Sequence, residues 1–178
     1  MIEFFLQAYS LPLIAEVRFS SDYFSEYPQQ ISVGKDAVSL FSQQPGYYAI
    51  HYKQPNTANS TAILLLNEGK IAVFAGEPPP TITDTISPVY TLPGGLLAVP
   101  TGLVFIRFPE NIVVESQQAA IQQAGYEIAQ ILAYAPHAAW LSAKSGKISD
   151  ALQGITQLKA ISNIENVEPQ LLMERRQR

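Results

Sequence analysis

The sequence predicts an α+β protein, with a β-rich N-terminal part at residues 1–100 and a β-α-β-β-α-β part at residues 101–178. Ten of the thirteen prolines lie at or before Pro100, and no stretch of that part keeps a helical period. Such a pattern is typical of short strands joined by turns. Beyond Pro100, strand patterns alternate with two segments in which apolar residues recur at helical spacing. We therefore expect two domains that meet near residue 100.

Tight turns define the predicted strands of the N-terminal part. Each turn contains glycine, which supplies the positive φ that many tight turns need. The sequence predicts three hairpins: residues 37–41 and 47–52 around a turn at 43–46, residues 61–66 and 70–74 around a turn at 67–69, and residues 89–92 and 96–99 around a turn at 93–95.

The C-terminal part begins with a predicted strand at residues 103–108. Both faces of this strand carry apolar side chains, which is typical of a strand that is covered on both sides. A helix at residues 115–124 is expected to end at Gly125, a position where positive φ is favoured. The next two strands are predicted at residues 126–134 and 138–143, joined through Pro136 and His137.

A second amphipathic helix is predicted at residues 148–158, with Ser149 as N-cap and Gly154 in its interior. A last strand at residues 164–167 follows. The resulting order is the split βαβ, or ferredoxin-like, arrangement. Because such short helices are unstable alone, both are expected to cover one face of a four-stranded antiparallel sheet. The other face is left to solvent, to the N-terminal part or to a partner.

Composition disfavours several classes of protein. The 178 residues carry a net charge of −4, whereas a nucleic-acid-binding protein normally has a basic surplus. The absence of cysteine excludes disulfides, thiol catalysis and zinc sites built on sulfur, and the sequence predicts no metal or cofactor. Apolar runs are too short to span a bilayer. Residues 1–17 lack a positively charged n-region, so we expect folded structure there rather than a signal peptide. The compartment stays open, with the cytoplasm as default.

Catalysis is not expected. A Ser-His-Asp mechanism needs a histidine base held between a nucleophile and an acid, and the chain contains only His51 and His137. We interpret His51 as a structural histidine within a strand and His137 as a turn residue. Glu165 and Glu168 are close in the sequence, but nothing else indicates that they form a catalytic acid pair. Phosphate-binding glycine motifs are absent from the sequence.

The aromatic residues include candidates for a binding surface. Most of them are expected to pack in the core. Tyr134 and Trp140 lie on adjacent predicted strands and could share a sheet face, and Phe105 belongs to a third strand of the same sheet. If that face is open, these side chains become anchors for a partner, because large aromatic residues dominate interface energetics.

Three segments of the C-terminal part stand out as a set. They are Pro100-Thr101-Gly102-Leu103-Val104-Phe105-Ile106-Arg107-Phe108, Ala124-Gly125-Tyr126-Glu127-Ile128 and Asn163-Ile164-Glu165-Asn166-Val167-Glu168-Pro169. Together they resemble the propeptide of subtilisin-like serine proteases. With residues 33–40, 47–50 and 87–90, the chain is similar to the two-part prodomain of fervidolysin-type subtilases, over residues 33–170 or so.

The resemblance implies a protein that binds a subtilisin-like protease as inhibitor or folding chaperone. In that family the exposed sheet face rests on two surface helices of the protease, and the C-terminal tail lies in the active-site cleft. Glu168 matches an acid that caps these helices, while Gln170 replaces the second acid. The tail residues implied to approach the cleft are Leu171, Leu172, Met173, Arg175 and Arg176, with Met173 near the subsite four residues before the cut and Arg176 at the cut.

Two other functions remain open at this point. The chain could be an interaction module that pairs through its sheet with an unrelated protein or with a second copy, burying Phe105 and Trp140 in a homodimer. A third option is a small-molecule sensor, which would need a pocket between the two parts.

Overall fold

The computed structural model describes residues 23–34, 38–58 and 60–174. These residues form nine strands and three short α-helices, which confirms the α+β class. Residues 1–17, predicted to be folded, lie outside this part of the chain. The strands are β1 (Gln30–Val33), β2 (Ser39–His51), β3 (Leu64–Leu66), β4 (Ile71–Ala75), β5 (Thr85–Thr91), β6 (Leu97–Arg107), β7 (Tyr126–Leu132), β8 (Ala135–Ala143) and β9 (Asn166–Met173), and the helices are α1 (Gln118–Gln123), α2 (Ile148–Gln153) and α3 (Ile155–Lys159).

All nine strands belong to one antiparallel sheet. Its main path runs β3-β4-β2-β5-β6-β8-β7, with β1 beside β2 and β9 beside β6. Strand β6 connects the two halves because it pairs with β5 near Leu97, with β8 near Arg107 and with β9 at both of its ends. It also crosses residue 100, where we expected two domains to meet. The division into residues 1–100 and 101–178 stays a prediction.

The helices of the C-terminal half lie on one face of β7, β8, β6 and β9. Val104, Ile106 and Phe108 of β6 and its end are fully buried there, together with Leu141 of β8. Leu158 of α3 is equally buried in this cluster. Because apolar side chains alternate along each strand, this packing buries one face of the sheet.

The N-terminal half has apolar clusters on both faces of its strands. One cluster contains Ala49, Val73 and Val89, all fully buried, with Leu66 of β3. A second cluster contains the intervening residues of β2 and β4, where the rings of Tyr48 and Phe74 stack with centroids 5.4 Å apart. The alternation of the two sets along the strands shows that both faces are covered here.

Two of the predicted hairpins are confirmed. Strands β3 and β4 pair around a 3-10 turn at Asn67–Gly69, and β5 pairs with β6 around the predicted turn at residues 93–95. Gly125 also has the expected positive φ, 92°, one residue beyond the C-cap of α1. The preceding predicted helix is divided into a 3-10 segment, Val114–Gln117, and α1.

The prediction of a hairpin at residues 37–52 was wrong. Strand β2 is continuous through residues 43–46, and its pairing with β5 shifts register between Gln43 and Tyr48. Gly46, with φ 82°, lies in this irregular stretch. A bulge and a hairpin turn both use glycine at positive φ, so the same sequence signal fits either.

Two further strand boundaries, both predicted at prolines, were wrong. We expected separate strands on either side of Pro100, but β6 passes through it, with a register shift between Pro100 and Val104. Pro136 and His137, expected between strands, lie within β8. Proline is tolerated at these positions because the regular ladder of hydrogen bonds is interrupted there.

The second predicted helix is two helices that meet at Gly154. Lys147, not Ser149, is the residue before α2, and Ser149 is buried. A Cβ atom added to Gly154 would lie 2.8 Å from Cε2 of Tyr126, whose hydroxyl donates a hydrogen bond to the carbonyl of Ala151 at 2.6 Å. Close helix–sheet packing therefore explains this glycine.

Candidate partner-binding surface

The candidate surface is the face of β7, β8, β6 and β9 on which none of the described helices lies, called the open face below. By register it carries alternate residues of each strand. Its members are Leu103, Phe105 and Arg107 on β6, Trp140 and Ser142 on β8, Glu127 and Gln130 on β7, and Glu168 and Gln170 on β9.

Two aromatic side chains occupy the middle of the open face. Phe105 and Trp140 are directly paired across β6 and β8, and their rings meet edge to face, with centroids 5.4 Å apart and planes at 62°. Both side chains are half-buried. Cross-strand aromatic pairs of this geometry stabilise a sheet and still present apolar area to solvent. We expected both faces of the first strand to be covered; among the described residues, no helix covers this one.

Polar residues flank the aromatic pair in the same row. Glu168 lies opposite Phe105, and Gln130 lies opposite Trp140. Gln130 was not among the predicted site residues, because a register shift between Ile128 and Gln130 decides its position and nothing local in the sequence indicates that shift. An apolar centre with a polar rim is the composition of many protein–protein interfaces.

Gln170 is held in place by the sheet itself. Its Oε1 atom accepts a hydrogen bond from the hydroxyl of Thr101, at 2.8 Å, and that hydroxyl accepts one from the backbone N–H of Leu103, at 3.2 Å. Glu168 lies two residues earlier on the same strand and the same face. The two residues that match the capping positions of the resemblance are thus side by side on the open face.

At one corner of the C-terminal half, Arg107 forms an ion pair with Glu165, with Nε and Oε2 3.3 Å apart. Both side chains are more than 40% exposed, at 46% and 41%. A pair so exposed contributes little to stability. It places charge at the edge of the surface rather than beside the aromatic pair.

The segment after Val167 is a strand through Met173, whereas we expected the last strand to end at Val167. Leu171 packs beside Ile148 and Leu152 of α2. Leu172 packs against the cluster of the N-terminal half that contains Ala49, Val73 and Val89. These contacts arise because residues 171–173 pair with residues 98–100 of β6. Met173 is 37% exposed, and Arg175 and Arg176 lie outside the described residues.

Tyr134 lies in the turn between β7 and β8, so the prediction that placed it on a strand beside Trp140 was wrong. Strand β7 ends at Leu132, and Leu132 pairs with Ala135. The tyrosine is 86% exposed, the largest exposure among the large apolar and aromatic residues described. Its position makes it the tip of the hairpin.

His51 is hydrogen-bonded to a serine inside the sheet. Its Nε2 atom lies 2.9 Å from Oγ of Ser87, and burial lowers the pKa of His51 to about 4. Ser87 is fully buried, so its hydroxyl is out of reach of a substrate. This pair is a structural contact between β2 and β5. His137, predicted to be a turn residue, is a half-buried residue of β8.

The described residues contain no group of three or more His, Asp or Glu side chains able to hold a metal ion. Within the same residues, no helix has both the length and the hydropathy that crossing a membrane requires. Comparisons with models of known protein families, with curated proteins and with solved structures find no match to this chain.

Proposed function

We propose that this protein is a non-catalytic binding protein that docks a subtilisin-like serine protease on its open face, as inhibitor or folding chaperone. The observation that carries the proposal is the Phe105–Trp140 pair, half-buried at the centre of a face that no described helix covers. The order β9-β6-β8-β7 supports the ferredoxin-like interpretation of this half. That arrangement is the one the propeptide resemblance implies.

The chemistry of the face suits the surface helices of a protease. Burying the aromatic pair removes apolar area from water, and aromatic residues at the centre of an interface are frequent energetic anchors. Helix N-termini carry unpaired N–H groups and a partial positive charge. Glu168 would accept hydrogen bonds from such N–H groups, beside a Gln170 already oriented by Thr101.

The contribution of the tail is smaller than the resemblance implies. Leu171 and Leu172 pack in this protein's own clusters, and moving them into a cleft would expose those clusters. Only the chain beyond Met173 is therefore proposed to enter a protease cleft. Affinity would come mainly from the open face.

The same packing favours a second candidate function. A module whose last strand is committed to its own sheet can dock a partner by the open face alone, without a protease cleft. That partner would be another protein or a second copy, related by a two-fold axis and burying Phe105 and Trp140 symmetrically.

Inhibition of a subtilisin-type protease tests the proposal. The wild-type chain should inhibit it in the nanomolar range. The double variant F105A/W140A should lose about 100-fold or more, since two central anchors are removed, while V113A, which shortens an exposed residue elsewhere, should inhibit like the wild type. Circular dichroism would confirm that each variant is folded.

A deletion and a mass measurement separate the two candidates. Removing residues 174–178 should weaken inhibition less than F105A/W140A does. A wild-type chain that inhibits no subtilisin-type protease, yet forms a dimer that F105A/W140A converts to monomer in light scattering, would overturn the protease proposal and support the second candidate.

A further inference from the structure

The β7–β8 hairpin carries no charged side chain over residues 128–143. Glu127 and Lys144 border this stretch, in a protein in which 15% of the residues are charged. The stretch is also accessible in part, since Ala129, Ala133 and Pro136 are exposed. An uncharged, exposed hairpin is suited to contact with an uncharged surface, because none of its own side chains over residues 128–143 carries a charge that would have to be desolvated.

The backbone at the tip of this hairpin does not require a tyrosine. Ala133 and Tyr134 form the two-residue turn, and neither has positive φ. A turn without positive φ accepts most residues, so turn chemistry does not account for Tyr134. Tyr134 is 86% exposed, so packing within the chain does not account for it either. A large aromatic side chain that packs against nothing in its own fold is available to a partner, and tyrosine is among the residues enriched at interface hot spots.

The tip is joined to the open face by the hairpin itself. Trp140 and Gln130, which belong to the open face, lie on its two strands. The backbone N–H of Phe108 donates a hydrogen bond to the carbonyl of His137, at 2.9 Å, and fixes the hairpin to the end of β6. A protein that covers the open face thus has the tip beside the edge of its footprint.

We propose that Tyr134 is a second anchor for the protein that docks on the open face, and that it inserts into an uncharged, apolar pocket of that protein. The inference rests on the proposed function. Because the hairpin lacks charge, we expect the pocket to have apolar walls that contact the ring. A hydrogen-bond acceptor at its base would satisfy the phenol hydroxyl. A charged pocket would find no partner charge on residues 128–143 of the hairpin.

The test is the inhibition constant for a subtilisin-type protease, measured for the full chain and its variants. Y134A should weaken inhibition about tenfold or more, as loss of an interface anchor does. Y134F should lose only a few-fold because the ring remains, and Y134E should bind worse than Y134A because it brings a charge into the pocket. Y23A is the matched control, since Tyr23 is also an exposed tyrosine, 50% accessible, outside the hairpin.

The outcomes distinguish this inference from the function on which it rests. If F105A/W140A loses inhibition while Y134A and Y134E inhibit like the wild type, Tyr134 is no anchor and the proposed function stands. Equal losses in Y134A and Y23A would also overturn the inference, because position would then not matter. If the wild type does not inhibit at all, both proposals fail together.

Discussion

The two halves of this sheet differ in how far one and the same face is covered. Along β9, the residues Glu168, Gln170 and Leu172 lie on one face. At Leu172 that face belongs to a closed cluster with Val99 and Leu66, whereas at Glu168 it is half-exposed beside Phe105. One strand thus passes from a covered region to an uncovered one within five residues.

The difference shows what closes a sheet face in this protein. In the N-terminal half, strands β3 and β4 bring Leu64, Leu66 and Ile71 to the cluster that also receives Leu172 from β9. In the C-terminal half, the described helices all serve the opposite face. The open face therefore results from the positions of the strands and helices. Its residues are a mixture of apolar side chains, whose exposure to water is unfavourable, and polar ones.

The largest expected effect compares two neighbours on β6. Ile106 is fully buried, so I106A should lower the free energy of unfolding by about 2–5 kcal/mol. Phe105 is half-buried on the open face, so F105A should cost less, about 1–2 kcal/mol. Urea denaturation followed by circular dichroism measures both. Equal costs would show that the open face is covered in solution.

A second prediction concerns the pH dependence of stability, which we trace to the N-terminal half, where both sheet faces are covered. Because burial lowers the pKa of His51 to about 4 from its ordinary 6.5, the unfolded chain binds a proton that the folded chain rejects. The contribution of this histidine to the free energy of unfolding is therefore fully present above pH 6.5. As the pH decreases towards 4, the free energy of unfolding falls by about 3 kcal/mol in total.

The variant H51Q isolates this titration from that of the carboxylates. Glutamine can still contact the hydroxyl of Ser87 but carries no charge. The difference in unfolding free energy between H51Q and the wild type, followed by the fluorescence of the single tryptophan, Trp140, should change between pH 7 and pH 4. A constant difference would contradict the assignment.

The smallest effect probes how tightly the covered face is packed. G154A should destabilise the protein by about 1–3 kcal/mol, because its new methyl group meets the buried ring of Tyr126. This result would run against helix propensity, which favours alanine over glycine. In a Y126L background, where the ring is absent, the same substitution should be neutral or stabilising. A cost that persists there would point to another cause.

Local chemistry accounts for the parts of the fold that could be predicted. The turns at residues 67–69 and 93–95 depend on their own residues, and the alternation along residues 103–108 indicates that Phe105 and Val104 face opposite sides. The turn signal at residues 43–46 failed because β4 and β5 pair with β2 along its two edges. Those partners are distant in sequence, so local turn chemistry could not reveal them.

The candidate site follows the same rule. Phe105 and Trp140 could be predicted to lie in one sheet because period-two patterns identify their strands, whereas only the propeptide resemblance points to Glu168, which lies beyond the predicted end of the last strand. The partial burial of Leu171 and Leu172 could not be predicted, since it depends on residues 98–100 of β6. The position of Tyr134 depends on where a hairpin reverses, which is among the least certain boundaries in a sequence without a glycine or asparagine at the turn.

The role of β6 as the strand shared by both halves has a consequence for synthesis. On the ribosome, β6 emerges well before β9, its partner along most of one edge. Until β9 is released, that edge presents free N–H and C=O groups beside an unfinished apolar core, the condition under which nascent chains misassociate. The nascent chain should therefore be most exposed to holdase chaperones during the interval between these two strands.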